Sequence, residues 1–584
     1  MINQQLVKIL REIADLKEVV GENRFKIVAY QRASQNIANV SEDLEAIYKT
    51  GGIKALKQIE GVGEAIAAHI EDYIKTGKVK EWEKLRKKVA PAVLKLMDVP
   101  GIGPKTALKL ADALEVVSVA GLQKALAHAG PKTKAKLAKI GLKEKSIENI
   151  LTGIEIAAKL ETRMPLYLAE PIAEQVKLYM SRCPGLIKFD PVGSFRRAKD
   201  TVGDLDFIAA AKNPKTAIDY FVKAPFIDKI IAQGDTKATA IEKSAGQQLD
   251  LEILPKEKYG SLLQHFTGSK EHNVALRTWG VAHGFSISEH GIKIQKAKVK
   301  GQKLITCETE EKVYKTLGMD WIPPELREDQ GEIEAALAHK LPKLIVLNDL
   351  KGDLQVHSNW SDGKASIEEM AKVAEKLGHR YIAFTDHSSS LGVAHGLNEQ
   401  RFAKRAKEIT KAQQKVKTKL LNAVEVDIRS DGRLDLPDNF LAKLDFVIAS
   451  IHSSFRQPKE QITKRLLAAI ANPHVDAIAH PTGRMIGTRP GYEADWPAVY
   501  QSASKHKTML EINAHPVRLD LTDLMVKSAK SYGVKFIIDT DAHHPDHLEY
   551  LRYGVAIARR GWLTKQDVAN TMDFNEFRVI LHRR

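Results

Sequence analysis

Cysteine is nearly missing from this chain: 584 residues hold two, Cys183 and Cys307, far apart. That excludes a disulfide framework and any cysteine-based zinc cage. Long apolar runs are missing too. No stretch reaches bilayer length, and the opening MINQQLVKIL lacks a signal-peptide layout, so a cytosolic protein without membrane contact is expected. Acid is in deficit, with 73 Asp plus Glu against 89 Lys plus Arg and a net charge of +16. Such an excess favours a polyanionic partner, although a merely soluble basic protein would show it as well. What is present is ample: 43% of residues are apolar, and the length suits roughly three to five domains.

The texture of the chain changes twice. Up to about residue 160 it reads as helical, with apolar residues at helical spacing in LVKILREIADLKEVV and FKIVAYQRASQNIANV. From about 165 to 320 short strand-like runs (LDFIAAA, QLDLEIL) alternate with helical ones (AEQVKLYM, TAIDYFVK), as in a mixed α/β domain. The proline-bearing, charged WIPPELREDQGEIEAALAHKLP then reads as a linker with one helix. After about 350, runs such as YIAFTDH, FVIASIH, DAIAHP and KFIIDTDAH end in histidine or aspartate. That is a β/α repeat with polar residues at strand C-termini, where barrel folds place active sites.

Two glycine hairpins interrupt the helical region, IEGVGEAIAAHI (59–70) and VPGIGPKTALKL (99–110). Gly61, Gly63, Gly101 and Gly103 permit tight turns and close backbone approach. The helix after each presents unpaired N–H groups and its positive dipole end, which suits a nucleic-acid phosphate read without regard to base. A structural turn would also use glycine, but two matched copies strengthen the phosphate reading. They look like helix-hairpin-helix motifs, whose carbonyls can also hold a monovalent cation.

GSFRRAKDTVGDLDF (193–207) sets Asp204 and Asp206 two apart at a strand start, hence on one face. Like charges so placed need a cation between them. Oxygen ligands match magnesium, and phosphoryl transfer uses two such ions. QLDLEIL supplies a third carboxylate, Asp250. Upstream, Gly193 and Ser194 open a helix-like phosphate cradle, with Arg197 available to pair with the same phosphates. A solvated acidic turn is the bland alternative.

GSFRR, GDLDF and LDLEIL together resemble the nucleotidyltransferase core of family X DNA polymerases, the polymerase beta group. LLQHFTGSKEHNVALR resembles that family's nucleotide-binding segment, and NRFKIVAYQRAS with TGKVKEWEKL its small DNA-end-binding domain. The resemblance covers about 1–320. It implies Asp204, Asp206 and Asp250 as catalytic ligands of magnesium or manganese. Gly193, Ser194, Arg197, Gly203, His265, Phe266, Gly268 and Asn273 would line the nucleotide. Lys26, Tyr30, Lys57 and Arg277 would contact DNA. Two positions depart from the family. His69 stands where a Schiff-base lysine often sits, so deoxyribose-phosphate lyase activity is expected to be weak or absent. His265 stands where tyrosine is usual beside the sugar.

The third region offers His357, Asp362, His387, Glu425, His452, His480, Asp541 and His543, spread over successive strand ends. Each alone would pass as a capping or core residue. Together they suit two or three zinc, manganese or iron ions, able to generate hydroxide near neutral pH and clamp a phosphodiester. The pattern resembles the polymerase and histidinol phosphatase (PHP) domain, a distorted β/α barrel. That pattern begins His-x-His, but Gln355 holds the first position here, and an amide oxygen is a poorer zinc ligand.

The expected fold is multidomain, with α-helical helix-hairpin-helix domains, an α/β nucleotidyltransferase palm and thumb, and a C-terminal PHP barrel. The expected boundaries are 1–85 and 86–160 for the helical domains, 161–258 palm, 259–320 thumb, 321–349 linker and 350–584 barrel. The expected function is short-gap filling in DNA repair on gapped or primer-template DNA with deoxynucleoside triphosphates. The barrel would process 3′ ends and cleave at abasic sites. The protein would be a cytoplasmic, nucleoid-associated monomer. Rival readings are a nucleotidyltransferase on a non-DNA substrate with an attached phosphatase, and a DNA-binding scaffold with decayed centres.

Overall fold

A computed structural model describes residues 2–38, 44–59, 61–97, 99, 102–127, 130–142, 146–147, 150–151, 154, 163–294, 304–390 and 394–581. The chain divides into two compact units: Met1–Thr162 with Gly487–Arg489, and Arg163–Ile486 with Pro490–Arg584. No helix among the described residues is long and apolar enough to cross a membrane.

The first unit is helical. Its opening helix, Ile2–Val19, buries Leu6, Leu10 and Ile13 at helical spacing in a core shared with Ile66, Ile70 and Leu110. The two glycine hairpins close alike. Val62 N–H donates to the Ile59 carbonyl and Ile102 N–H to that of Val99, each at 3.0 Å. Gly63 and Gly103, both extended, then cap the helices Glu64–Thr76 and Pro104–Leu114. Gly101 lies outside the described residues. Gly130 caps Pro131–Lys139 in the same way, a third such helix N-terminus that the sequence reading missed.

The second unit begins with a five-stranded sheet. Its strands are β1 (Leu186–Pro191), β2 (Leu205–Ala211), β3 (Ile227–Gln233), β4 (Lys237–Glu242) and β5 (Gln248–Ile253), in the order β1-β2-β5-β4-β3. Only β2 and β5 run parallel, and their register sets Asp206 directly beside Asp250. The helices Tyr259–Thr267, Lys270–Ala282 and Glu310–Thr316 follow, with a small antiparallel sheet of β6 (Phe285–Ser288), β7 (Gly291–Ile294) and β8 (Leu304–Ile305).

The stretch 321–349 is not the linker expected. Ile322, Leu326, Ile333, Ala336 and Leu344 are buried in one cluster with Leu276, Val313 and Tyr314. Two of its charges, Arg327 and Glu332, are enclosed rather than solvated. Arg327 is fully buried, pairs with Glu310 and donates to the Ile322 carbonyl at 2.9 Å. Glu332 meets His272 at 2.5 Å with both side chains buried.

The remainder is a nearly closed parallel barrel in sequence order: β9 (Gly352–Val356), β10 (Tyr381–Phe384), β11 (Lys419–Asp427), β12 (Phe446–Ser450), β13 (Ala477–Ile478), β14 (Met509–Asn513) and β15 (Phe536–Asp539). A parallel bridge between Val356 and Ala542 brings the last strand back to the first. Buried on both faces, most of these strands are nearly continuous apolar runs; β11 is exposed only at its first residue, Lys419.

Candidate active sites

In the palm, Asp204 precedes β2, Asp206 lies in it, and Asp250 lies on β5. Their carboxylates offer oxygens within 4.8 Å of one another. Burial, then the charges of Asp204 and Asp250, push the Asp206 carboxyl up to about 7 against the pull of Arg197. Crowded anionic oxygens of this kind fit hard divalent cations. Asp250 also accepts from Thr239 Oγ1 (2.5 Å) and Gln248 Nε2 (2.7 Å), two neighbours the sequence did not signal.

Gly193 opens the short helix Gly193–Arg196 with φ 61, and any side chain there would collide with the Asp206 carboxylate. Ser194 follows in the same turn, and Gly203, whose carbonyl accepts from Gln247, leads into Asp204. Arg197 is not free as expected. It is buried and donates to Glu328 (2.9 Å) and to the Thr267 carbonyl (2.8 Å). Glu328 lies 131 residues away, so no local pattern announces the pair. Arg196 is likewise paired with Glu310.

His265 and Phe266 end the helix Tyr259–Thr267, ring against ring at 5.3 Å. A Cβ at Gly268 would meet Asn273 Oδ1 at 2.7 Å. The Asn273 amide, expected to line the nucleotide, donates to the His265 and Gly268 carbonyls and so ties the turn. Arg277 is exposed one helical turn further on.

In the first unit, Lys26, Tyr30, Lys57, Gly61, Gly63 and His69 line one cleft of about 730 Å³. His69 Nε2 lies 2.9 Å from the Tyr30 hydroxyl, and burial lowers its basicity.

At the C-terminal end of the barrel strands, seven of the eight expected ligands fall into three overlapping groups: His357, Asp362, His387 and His543; His387, Glu425 and His452; His357, Glu425 and Asp541. The eighth, His480, places Nε2 3.0 Å from Glu425 Oε1. Glu425 sits at the centre, also 3.1 Å from His387 Nδ1 and 3.5 Å from His357 Nε2. Burial opposes its charge, but His387 and His452 hold it well below the usual carboxylate range. Burial likewise disfavours charge on His543 and His452. Asp362 and Asp541 nevertheless lift His543 to about 10, and Glu425 and Asp427 lift His452 to about 9. Among the described residues, both ring nitrogens of His357, Nδ1 of His387, Oε2 of Glu425 and Oε1 of Gln355 are buried without a hydrogen-bond partner. Orphaned donor atoms converging on one point fit metal ions.

Around them stand residues the sequence reading passed over. Asp427 accepts from the His452 backbone, Glu511 from that of His480, and Arg518 Nε lies 3.3 Å from Asp541. The signal was period-two polar residues at the ends of apolar strands, as in Glu425/Asp427 and Glu511/Asn513.

A palm bearing three carboxylates, joined to a thumb and a histidine-rich barrel, defines a class: nucleotidyltransferases fused to metal-dependent phosphoesterases. Family models match the helix-hairpin-helix domain (1–79), the SAM-like helix-hairpin-helix tandem (93–155), the DNA polymerase beta thumb (262–328) and the PHP domain (353–515). The chain is 38% identical over 585 residues, covering all of both chains, to the DNA polymerase/3′-5′ exonuclease PolX of Bacillus subtilis. A probable phosphatase of Thermoanaerobacter sp. is 32% identical over 232 residues, 37% of this chain and 90% of that protein. The chain belongs to the family X DNA polymerases that carry a C-terminal PHP domain.

Proposed function

We propose that this chain is a gap-filling DNA polymerase of DNA repair whose PHP barrel trims 3′ ends as a 3′–5′ exonuclease. The observation that carries the reading is the register of β2 on β5, with Asp206 beside Asp250 and Asp204 within ligand reach. Magnesium or manganese ions bound there would lower the energy of the attacking and leaving oxygens. Asp250, supported by Thr239, assists deprotonation of the primer 3′-hydroxyl. The turn at Gly193 and Ser194 faces its backbone toward the triphosphate, and Arg197 joins it there. His265, Phe266 and Gly268 flank the sugar.

Domain roles follow: DNA-end binding in 1–85, a second hairpin domain in 86–160, palm in 161–258, thumb from 259 and barrel from 350. Lys26, Tyr30 and Lys57 grip a 5′-phosphate at the gap. The hairpin glycines approach the DNA backbone, with a monovalent cation at their carbonyls. In the barrel each neutral imidazole offers one lone pair, so His357 and His387 each serve one ion. The ligands then divide into His357, Glu425 and Asp541; Asp362, His387 and His543; and Glu425, His452 and His480, for zinc, manganese or iron. The protein acts as a cytoplasmic monomer.

Changing Asp204 and Asp206 to alanine should abolish extension of a one-nucleotide gap while sparing 3′ degradation; His387→Ala or His452→Ala should do the reverse. Loss of both activities in either set would refute two separate centres.

A further inference from the structure

The arginine assigned to the triphosphate is held by a carboxylate, and that carboxylate is held by the barrel. Glu328 Oε1 accepts from Arg197 Nε at 2.9 Å and from Arg560 Nη1 at 3.0 Å, and Lys199 stands 3.5 Å from Oε2. Arg560 ends the barrel helix Leu551–Arg560 and is itself anchored, meeting Asp523 at 2.5 Å. Its Nη1 also donates to the Arg197 carbonyl at 2.9 Å, at the end of the Gly193–Arg196 turn. The three central side chains are at most 10% exposed.

We propose that Arg560 is a positioning residue for nucleotidyl transfer: by sharing Glu328 it leaves Arg197 transferable to an incoming triphosphate. A buried carboxylate with one cation cannot release it without leaving an uncompensated charge. With Arg560 fixed by Asp523 and Lys199 close by, Glu328 stays compensated when Arg197 leaves. Burial opposes charge on Glu328, yet Arg560, Arg197 and Lys199 together hold its carboxyl below the ordinary range, so it remains a competing anion. Remove Arg560 and only Lys199 remains, 3.5 Å away and 36% exposed, too solvated to replace a buried guanidinium, so Glu328 retains Arg197.

The inference rests on the polymerase reading above, and the test separates the two. Steady-state kinetics on one-nucleotide-gapped DNA are compared for wild type, Arg560→Met, Arg560→Lys, Glu328→Gln and the double variant Arg560→Met/Glu328→Gln. Exonuclease rate and melting temperature are followed alongside. Arg560→Met should raise the KM for deoxynucleotide roughly tenfold, with kcat within about threefold and exonuclease unchanged. Arg560→Lys should recover part of the loss. The double variant should return toward the wild-type KM, because the competing carboxylate is gone. An unchanged KM in Arg560→Met, a raised KM in Glu328→Gln alone, or a double variant no better than the single one would overturn the proposal. If wild type itself fails to extend, the polymerase reading falls instead.

Discussion

Asp206 and His543 titrate in opposite environments, and both make metal binding depend on pH. The Asp206 carboxyl, raised to about 7, holds a proton below that pH. A divalent cation bound there must displace it, so the apparent metal affinity for nucleotide addition should rise as pH climbs to about 7 and flatten above. A metal titration at pH 6, 7 and 8 checks this; a flat profile contradicts it. In the barrel, His543 and His452 are lifted to about 10 and 9, so both carry protons at neutral pH. Zinc or manganese uptake should release about two protons at pH 7.5, read by calorimetry in buffers of differing ionisation enthalpy. Gln355 turns an orphaned amide oxygen into the same site, and Gln355→His should add bound metal measurable by elemental analysis. At this scale much was legible. Strand alternation announces Asp204 and Asp206, and the repetition of histidine and carboxylate at successive strand ends announces the barrel cluster, although no single one of them would. The engagement of Arg197 was not, because its partners Thr267 and Glu328 lie 70 and 131 residues away, and that of Asn273 was not, because which backbone carbonyls a turn leaves open is not written in residue type.

At the scale of elements, the hairpins separate what folding needs from what a ligand needs. Gly63 and Gly103 have extended backbones, and nothing lies within 4 Å of a Cβ built at either. The chain itself has room for a methyl there. Gly63→Ala or Gly103→Ala should therefore change stability by less than about 0.5 kcal/mol. If DNA backbone approaches as proposed, affinity for gapped DNA should still fall several-fold; unchanged binding in a gel shift would remove the glycines from the interface. The matched motifs made two hairpins readable. The third capped helix escaped because Gly130 lacks the apolar-x-Gly lead that marks the others. The stretch 321–349 was misread for a related reason: proline and charge suggest solvent exposure, and only tertiary packing reveals that Arg327 and Glu332 are enclosed.

At the scale of the whole molecule, the two changes of sequence texture announce the architecture, but not how palm, thumb and barrel cohere. Palm Asp200 pairs with barrel Arg484 at 3.1 Å, and Glu325 with Arg559 at 2.7 Å. These pairs are only partly buried and still screened by solvent, so the more deeply buried Arg560 group carries more of this seam. Residues 163–584 should unfold as one calorimetric transition, and chelating the barrel metals should lower the temperature at which nucleotide addition is lost. Two resolved transitions would count against it. Arg327 also limits how such chains recombine. A crossover inside 321–349 would surround its guanidinium with foreign walls, at about 3–5 kcal/mol if Glu310 were lost. Viable hybrids should exchange at 350 or beyond, so that Arg327 keeps Glu310, and the incoming barrel must bring its own partners for Asp200, Glu325 and Glu328.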